Sequence, residues 1–359
     1  MRRVAWLLRS QGPALGYLFC VLLGVALAQL SQRLELLQRI AQLAHRPRVQ
    51  SVCRVHPGRP LRQVSKPMAR RNPRVFLTAT TARLSGLLVA LLLLSGCSSV
   101  FFYPDRVTYI TPDRLNLEYE DIYLDTADGE TLHGWWLPAE APENNARGTV
   151  YFLHGNAQNV SSHILNVAWL PERGYNVFTI DYRGYGKSTG DPDIEGALHD
   201  VETGLRWLAK KPDVTDRPLY ILGQSLGGGL GIALASEWTQ REEQPLLDGV
   251  ILDGTFSGFR KIAREKLGGF WLTWPLQIPL SWTIPDDYEG VDHIPRISPV
   301  QVMVIHSVRD GIIPFHHGEA LFEAAQEPKE FLQTDTPHGA TFVIPGYRRE
   351  VLRFMNAGR

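Results

Sequence analysis

The chain of 359 residues has little cysteine, and what it has is unevenly placed. The three cysteines are Cys20, Cys53 and Cys97, so the 262 residues that follow Cys97 contain no thiol. That part of the chain can form no disulfide and offers a metal no thiolate, which excludes a disulfide-stapled scaffold and a zinc-ribbon type of site. An oxidising compartment could form no disulfide in this part of the chain, so its cysteine content is compatible with export.

The first 96 residues lack acidic side chains. They hold 15 Lys and Arg but a single acid, Glu35, whereas residues 97–359 hold 22 Lys and Arg against 36 Asp and Glu. The formal net charge of zero therefore averages two unlike segments. The basic segment has the composition of an export or membrane-inserting sequence, and the acidic one is long enough for one large domain. A strongly acidic domain repels phosphate, which argues against nucleic acid as a partner.

The apolar run at residues 84–94 is too short to span a bilayer, which takes about 20 residues. It fits the core of a signal peptide that begins at Met68, carries several arginines, and ends at Leu94-Ser95-Gly96-Cys97. That tetrapeptide resembles a bacterial lipobox, which implies a signal peptide at 68–96, diacylation of Cys97 and a linker at 97–116. Ser98 favours sorting to the outer membrane, facing the periplasm. The alternative is a short buried helix with an incidental cysteine.

Residues 1–67 form a basic and apolar extension with 23 uncharged residues between Arg9 and Arg33. A start at Met1 would leave Cys97 too far inside the chain for ordinary processing, whereas a start at Met68 gives a signal peptide of normal length. We therefore expect translation to begin at Met68. The alternative is a transmembrane helix that holds the protein in the inner membrane.

From residue 117 onward, short β-branched or aromatic runs alternate with helix-length stretches, the pattern of a sheet flanked by helices. Asp128-Gly129 between the first two strands predicts a hairpin turn, and the later units predict parallel strands. The expected fold is α/β over residues 117–356, with an eight-stranded, mostly parallel sheet. The predicted strands are Leu117–Leu124, Leu132–Leu137, Thr149–Leu153, Asn176–Ile180, Leu219–Leu222, Gly249–Leu252, Val302–Ile305 and Glu330–Gln333. The predicted helices lie near 160–172, 195–211, 226–239, 316–327 and 341–356.

The segment 256–297 interrupts this alternation with six Phe and Trp residues and several prolines. An apolar insertion of this length is expected to cover something. We interpret it as a cap that forms an acyl pocket, with ordinary packing of a lid as the alternative.

Two stretches match G-x-S-x-G, centred on Ser225 and Ser188. A nucleophile of this type needs a strand running into the first glycine and a helix leaving after the serine. Residues 219–222 and 226–238 supply both for Ser225, whereas Ser188 follows a glycine-rich loop. Ser225 is therefore the predicted nucleophile.

A serine nucleophile needs a histidine base and an acid that orients it. His338 follows the last predicted strand and is the expected base. His306, His316 and His317 are the less favoured candidates, and His316 and His317 are expected to be surface residues at the start of a helix. Asp310 follows the strand Val302–Ile305 and is the expected acid, with Asp253 as the rival.

The developing oxyanion needs hydrogen-bond donors. One is the N–H of Leu226, directly after the nucleophile, and the other is expected from Asn156 in the loop His154-Gly155-Asn156. His154 is expected to fix this loop rather than to transfer protons.

Taken together these segments resemble the α/β-hydrolase family over about residues 117–356, and the His-Gly-Asn form resembles its serine aminopeptidase-like or lysophospholipase-like branch. The resemblance implies a Ser225, Asp310 and His338 triad, an oxyanion hole at Asn156 and Leu226, and a structural role for the loop 181–188. Gly339-Ala340 departs from relatives that carry a polar residue after the histidine, which leaves the conformation of that loop open.

The resulting hypothesis is a lipid-anchored serine hydrolase that cleaves small-molecule or lipid esters, of the acyl ester or lysolipid type. The histidines lack the spacing of metal ligands, and neither a metal nor an organic cofactor is expected. The alternatives are a serine peptidase or amidase, and a catalytically silent envelope lipoprotein.

Overall fold

The computed structural model describes residues 101–141, 145–241, 246–269 and 273–357. Eight strands form one sheet: β2 (Glu120–Asp125), β3 (Thr131–Leu137), β4 (Gly148–Leu153), β6 (Tyr175–Ile180), β7 (Leu219–Gln224), β8 (Gly249–Asp253), β9 (Gln301–Ser307) and β10 (Lys329–Thr334). Their order in the sheet is β10-β9-β8-β7-β4-β6-β3-β2. Every strand of the predicted sheet is present, which confirms the α/β-hydrolase type of architecture.

The sheet begins antiparallel and continues parallel, as expected. Strand β3 pairs antiparallel with both β2 and β6, and the strands from β6 to β10 pair parallel. The turn between β2 and β3 is closed by the N–H of Thr126, which donates to the carbonyl of Glu130 at 2.8 Å. Gly129 has φ +95°, a value that its lack of a Cβ permits.

A second sheet of two short parallel strands, β1 (Tyr103–Pro104) and β5 (Ala157–Gln158), was not predicted. Two residues a strand give no periodic pattern to recognise. The pairing holds the first described residues against the loop that follows β4, because the N–H of Tyr103 donates to the carbonyl of Asn156 at 2.9 Å.

Helices cover both faces of the sheet and join the parallel strands. They are α1 (Val160–His163), α2 (Ile194–Leu208), α3 (Pro212–Thr215), α4 (Leu226–Arg241), α5 (Phe259–Gly268), α6 (Gln277–Ser281), α7 (Gly290–His293), α8 (His316–Ala324) and α9 (Pro345–Ala357).

The prediction of one continuous helix at 160–172 was wrong. Helix α1 ends at His163 and is followed by separate 3₁₀ turns, Ile164–Asn166 and Pro171–Arg173. Proline at 171 has no N–H to extend a helix from the preceding turn. Proline at 345 likewise begins α9 after a short 3₁₀ turn at Thr341–Val343, so the predicted helix at 341–356 is two elements.

The centre of the sheet is buried on both faces. Every residue of β4, β6, β7 and β8 is buried, as expected for parallel strands that are covered by helices on each side. The carboxyl ends of β7, β8 and β9 lie next to one another, since these strands pair in parallel register. Loops leaving that edge carry the predicted site residues.

Candidate active site

Ser225 is the single residue that joins β7 to α4. Its φ is +52°, a left-handed conformation that is strained for a residue with a side chain, and its exposed fraction is 7%. The N–H of Ser225 donates to the carbonyl of Asp253 at 2.9 Å, which ties the turn to the neighbouring strand β8. This is the strand, sharp turn and helix that the motif predicts.

The motif glycines are required by close packing around Ser225. A Cβ on Gly223 would lie 2.5 Å from the carbonyl oxygen of Gly227, and one on Gly227 would lie 2.1 Å from the carbonyl oxygen of Leu153. Both neighbours are backbone atoms, which cannot move aside as a flexible side chain can. The start of α4 can therefore approach β4 only with glycine at these positions.

His338 and Asp310 form a close pair. Nδ1 of His338 lies 2.6 Å from Oδ2 of Asp310, and the side chains are 20% and 1% exposed. The other carboxylate oxygen of Asp310 accepts the N–H groups of Ile312 and Ile313, each at 2.8 Å. The carboxylate is therefore fixed by its own loop and presents one oxygen to the imidazole.

Burial by itself would raise the pKa of Asp310. The hydrogen bond and charge of His338 and the N–H groups of Ile313 and Ile312 outweigh burial and hold the pKa of Asp310 below its usual range. The carboxylate is consequently ionised at neutral pH and stabilises a proton on Nδ1 of His338. That tautomer leaves Nε2 free to accept a proton.

Gly254 connects this pair to the serine turn. A Cβ on Gly254 would come within 3.2 Å of Oδ2 of Asp310 and 3.3 Å of Nδ1 of His338. Its neighbour Asp253 accepts the N–H of Ser225, so all the groups lie at the carboxyl edge of β7, β8 and β9. The three residues expected from separate parts of the sequence are thus brought to one place.

Asp253, the rival acid, has other partners. Its Oδ1 accepts the hydroxyl of Thr341 at 2.7 Å, and the amide of Gln224 lies 3.5 Å from its Oδ2. Burial raises the pKa of Asp253. The imidazole Nδ1 of His338 is bonded to Asp310, so the geometry favours Asp310 as the orienting acid.

The less favoured histidines are engaged elsewhere. Nε2 of His306 donates to the carbonyl of Ile313 at 3.0 Å. His316 and His317 open α8 and both contact Glu265 of α5, at 3.2 and 3.1 Å. The expectation that His316 and His317 are surface residues was wrong for His317, which is fully buried.

Glu265, His316 and His317 together are a group of metal-ligand type. The N–H of Ser257 donates to Nδ1 of His317 at 3.1 Å, so the ring proton sits on Nε2, the atom that faces Glu265. A protonated nitrogen has no lone pair for a metal. These residues therefore fit a hydrogen-bonded contact between α5 and α8 better than a metal site.

The loop after β4 adjoins the serine turn because β4 and β7 are paired, with Leu153 opposite Gly223. Asn156 is half-buried, and its carbonyl accepts the hydroxyl of Tyr185 at 2.7 Å. Leu226 is the first residue of α4, where an N–H has no acceptor within the helix. The two expected oxyanion donors thus lie at the ends of neighbouring strands.

His154 is fully buried and stacks on Tyr182, with ring centroids 4.3 Å apart. Its Nδ1 donates to the carbonyl of Gly155 at 2.7 Å. Burial lowers the pKa of His154 to about 4, so the ring is neutral at physiological pH. These contacts agree with a loop-fixing role.

Ser188, at the second motif match, is fully buried. Its hydroxyl donates to the carbonyl of Asp181 at 2.7 Å and accepts the N–H of His133 at 2.9 Å. Both bonds are internal to the fold, and the structure agrees with a structural rather than a nucleophilic serine.

Gln224 is a site residue that sequence reasoning missed. Its Oε1 accepts from Nδ1 of His163 at 2.9 Å and from the amide of Asn166 at 3.2 Å. Its amide lies 3.5 Å from the carbonyl of Gly339, next to His338. Because Gln224 occupies the variable position of the motif, no local pattern identifies it.

The segment 256–297 contains α5, α6 and α7, and its described aromatic residues lie in two different environments. Phe256 and Phe259 are buried in the core, whereas Trp274 and Trp282 are 60% and 70% exposed. A groove of about 370 Å³ on this segment is lined by Trp282 and by charged side chains, and Ser225 is not among them. This groove does not include the serine, and the acyl-pocket interpretation stays a prediction.

The expectations for 1–67, 68–96 and Cys97 lie outside the described residues. Among the residues that the structure describes, none of the helices combines the length and the apolar character needed to cross a membrane.

Comparison with known proteins gives a consistent assignment. Residues 144–288 match a family model described as serine aminopeptidase, S33. The uncharacterized protein YfhR of Escherichia coli K12 is 35% identical over 233 residues, which cover 65% of this chain and 76% of that protein. The lysophosphatidylserine lipase ABHD12 of Gallus gallus is 27% identical over 64% of this chain and 65% of its own. The solved esterase Pf2001 of Pyrococcus furiosus superposes with a TM-score of 0.55 at 25% identity, over 72% of this chain and 97% of that one.

The fold and the comparisons together define a hydrolase of the α/β type. The chain belongs to the α/β-hydrolase family that includes the YfhR proteins.

Proposed function

We propose that the chain is a serine hydrolase that cleaves carboxylic esters through an acyl-enzyme on Ser225. The observation that carries the proposal is the His338–Asp310 pair beside a serine held at φ +52°. The esterase and lipase among the similar proteins support an ester substrate of the acyl or lysolipid type.

The proposed reaction uses only side chains and backbone groups of this chain. Nε2 of His338 takes the proton of the Ser225 hydroxyl while Oγ attacks the ester carbonyl. The N–H of Leu226 and the amide of Asn156 stabilise the oxyanion. The imidazolium, held by Asp310, then protonates the leaving alcohol as the C–O bond breaks. A water molecule releases the acid by the same two proton transfers and restores Ser225.

A fluorophosphonate probe tests the nucleophile on the full chain. The wild type should be labelled and Ser225→Ala should not, while Ser162→Ala, which removes a half-buried hydroxyl elsewhere, should be labelled like the wild type. Equal labelling of Ser225→Ala and wild type would overturn the assignment. No labelling of any form would favour a silent binding lipoprotein.

Peptidase or amidase activity is the second candidate, because the matching family model is described as a serine aminopeptidase. Nitrophenyl esters of increasing chain length, compared with aminoacyl anilides, separate the two activities. A kcat/KM that is greater for the anilides would reject the ester proposal.

We also propose that the mature protein is held in the cell envelope by a diacylated Cys97 and faces the periplasm. The support is the pattern of basic residues, short apolar run and Leu94-Ser95-Gly96-Cys97. Mass spectrometry of the membrane fraction should find a diacylated N-terminal Cys97. An intact peptide beginning at Met1 would reject the lipoprotein and leave the transmembrane alternative.

A further inference from the structure

Three apolar side chains in the cap segment point to solvent from one face of a helical run. Trp274, Ile278 and Trp282 are spaced by four residues and are 60%, 41% and 70% exposed. The run consists of the 3₁₀ turn Trp274–Leu276 and α6, and the N–H of Trp282 donates to the carbonyl of Ile278. Residues four apart on a helix lie on the same side. We call these three residues the Trp stripe.

Two exposed cations lie beside the Trp stripe. Lys261 and Arg264 of α5 are exposed and line the same groove as Trp282. Neither makes a side-chain hydrogen bond or ion pair with a residue in the described ranges. The groove also holds three acidic side chains: Asp286 forms an ion pair with Arg260, Glu289 accepts the N–H of Arg260, and Asp292 is exposed.

The described chain enters at this part of the molecule. The ring of Phe101 packs edge-on against Phe259, the first residue of α5, at 5.3 Å, and lies 6.3 Å from Phe256. Cys97 precedes Phe101 by four residues, which span at most about 14 Å when fully extended. An acyl anchor on Cys97 would therefore emerge close to the beginning of α5.

We propose that the Trp stripe, together with Lys261 and Arg264, docks on the headgroup region of an anionic lipid bilayer. Indole rings favour the interface between water and hydrocarbon, and cations beside them are attracted to anionic headgroups. The orientation of the cap segment toward the same membrane rests on the anchor proposed at Cys97, together with the observed packing of Phe101 against Phe259. A lipid ester in that membrane would then be presented to the cap side of the hydrolase.

Fluorescence quenching by brominated phospholipid tests this contact. The full chain is reconstituted in vesicles of phosphatidylcholine and phosphatidylglycerol, and the wild type is compared with Trp274→Phe/Trp282→Phe. These changes keep an apolar side chain and remove the two reporters. The tryptophan emission that the double variant lacks is that of Trp274 and Trp282. In the wild type, brominated lipid should quench this part about twice as strongly as the remaining emission. A matched control, Trp169→Phe, removes a buried tryptophan and should leave the strongly quenched part intact.

Equal fractional quenching in the wild type and the double variant would overturn the proposal. Lys261→Ala/Arg264→Ala should weaken the quenching in mixed vesicles. Quenching that does not depend on phosphatidylglycerol would reject an anionic lipid as the partner. A dimer in detergent that disappears in Trp274→Ser/Trp282→Ser would show that a second copy covers the Trp stripe, and would also overturn it.

The outcome is separable from the proposed chemistry and anchor. Fluorophosphonate labelling in detergent should be the same in the wild type and the Trp274→Phe/Trp282→Phe variant. If Ser225 is not the nucleophile, Ser225→Ala is labelled like the wild type, and if the protein is catalytically silent no form is labelled, while quenching persists in both cases. Anionic-lipid-dependent quenching that persists in Cys97→Ser would support the docking surface independently of acylation.

Discussion

Nδ1 of His338 is bonded to a carboxylate whose other oxygen is already occupied by two backbone N–H groups of its own loop, those of Ile312 and Ile313. Asp310 therefore cannot rotate without breaking bonds. The arrangement fixes which oxygen meets the imidazole and, through it, which imidazole nitrogen carries the proton.

Asp310→Asn should reduce kcat by about 10³- to 10⁴-fold. The amide oxygen must still face the N–H groups of Ile312 and Ile313, so the amide nitrogen faces His338 and donates to Nδ1. The ring proton then moves to Nε2, where it blocks acceptance of the serine proton. Steady-state hydrolysis of a nitrophenyl ester measures the loss. Asp253→Asn is the control and should lose less than about tenfold; the reverse order would assign the acid role to Asp253.

Thr341→Val should lower kcat by up to about tenfold with little change in KM. The hydroxyl of Thr341 binds the buried Asp253 at 2.7 Å and so ties the loop that carries His338 to the end of β8. Valine keeps the shape of the side chain and leaves the buried carboxylate without that donor. The loop that carries His338 is then held less firmly, whereas substrate binding is unchanged. Thr203→Val, whose hydroxyl donates to the carbonyl of His199 on α2, serves as the control. A pure rise in KM would contradict a positioning role.

Ser188→Ala should destabilise the fold and spare the chemistry. It leaves the buried carbonyl of Asp181 and the N–H of His133 without their partner, a loss of about 1–3 kcal/mol. Urea unfolding gives the loss of free energy, and fluorophosphonate labelling below the transition should match that of the wild type. Loss of labelling in a variant that remains folded would return Ser188 to the list of candidate nucleophiles.

The strands of the sheet were predictable because half of the eight are short, fully buried runs of β-branched and aromatic residues whose pattern depends little on their partners. The ends of the strands were less predictable, since β7 continues to Gln224, directly before Ser225. The pair β1 and β5 was missed because its bonds, such as that from Tyr103 to Asn156, join distant parts of the chain.

The residues of the site were also predictable only in part. Ser225 was indicated by its own strand and helix, and Asp310 and His338 by the strands they follow. Gln224 and Thr341 were not, because their bonds to His163 and Asp253 span 61 and 88 positions and only the folded sheet brings them together. Composition alone also does not reveal that Trp274 and Trp282 are exposed.

Acid should destabilise the protein through its buried neutral histidines. Burial lowers the pKa of His154 to about 4, against about 6.5 in an unfolded chain. Between those values the unfolded state binds a proton that the folded state refuses, so the free energy of unfolding falls as the pH drops from about 6.5 toward 4. The loss from His154 approaches about 3 kcal/mol, and burial acts on His163 and His317 in the same direction.

Urea unfolding at a series of pH values measures this dependence. His154→Phe keeps a ring against Tyr182 and cannot be protonated, so its stability should vary less steeply with pH than that of the wild type. The variant is expected to be less stable at pH 7, because the bond from Nδ1 to the carbonyl of Gly155 is lost. Identical slopes for the two proteins between pH 6.5 and 4 would show that His154 is not the group responsible.

Gly227→Ala should strongly destabilise the native fold, because a Cβ there would lie 2.1 Å from the carbonyl oxygen of Leu153. Relief would require α4 to move away from β4, which would also displace Ser225; we expect a loss of about 3 kcal/mol or more. Gly346→Ala is the matched control, since its nearest neighbours are 3.8 Å away and alanine favours the helix α9. Circular dichroism shows whether each variant is folded, and urea unfolding gives its free energy of unfolding. A folded Gly227→Ala protein with normal labelling of Ser225 would mean that the close approach of α4 to β4 is not needed for the serine turn.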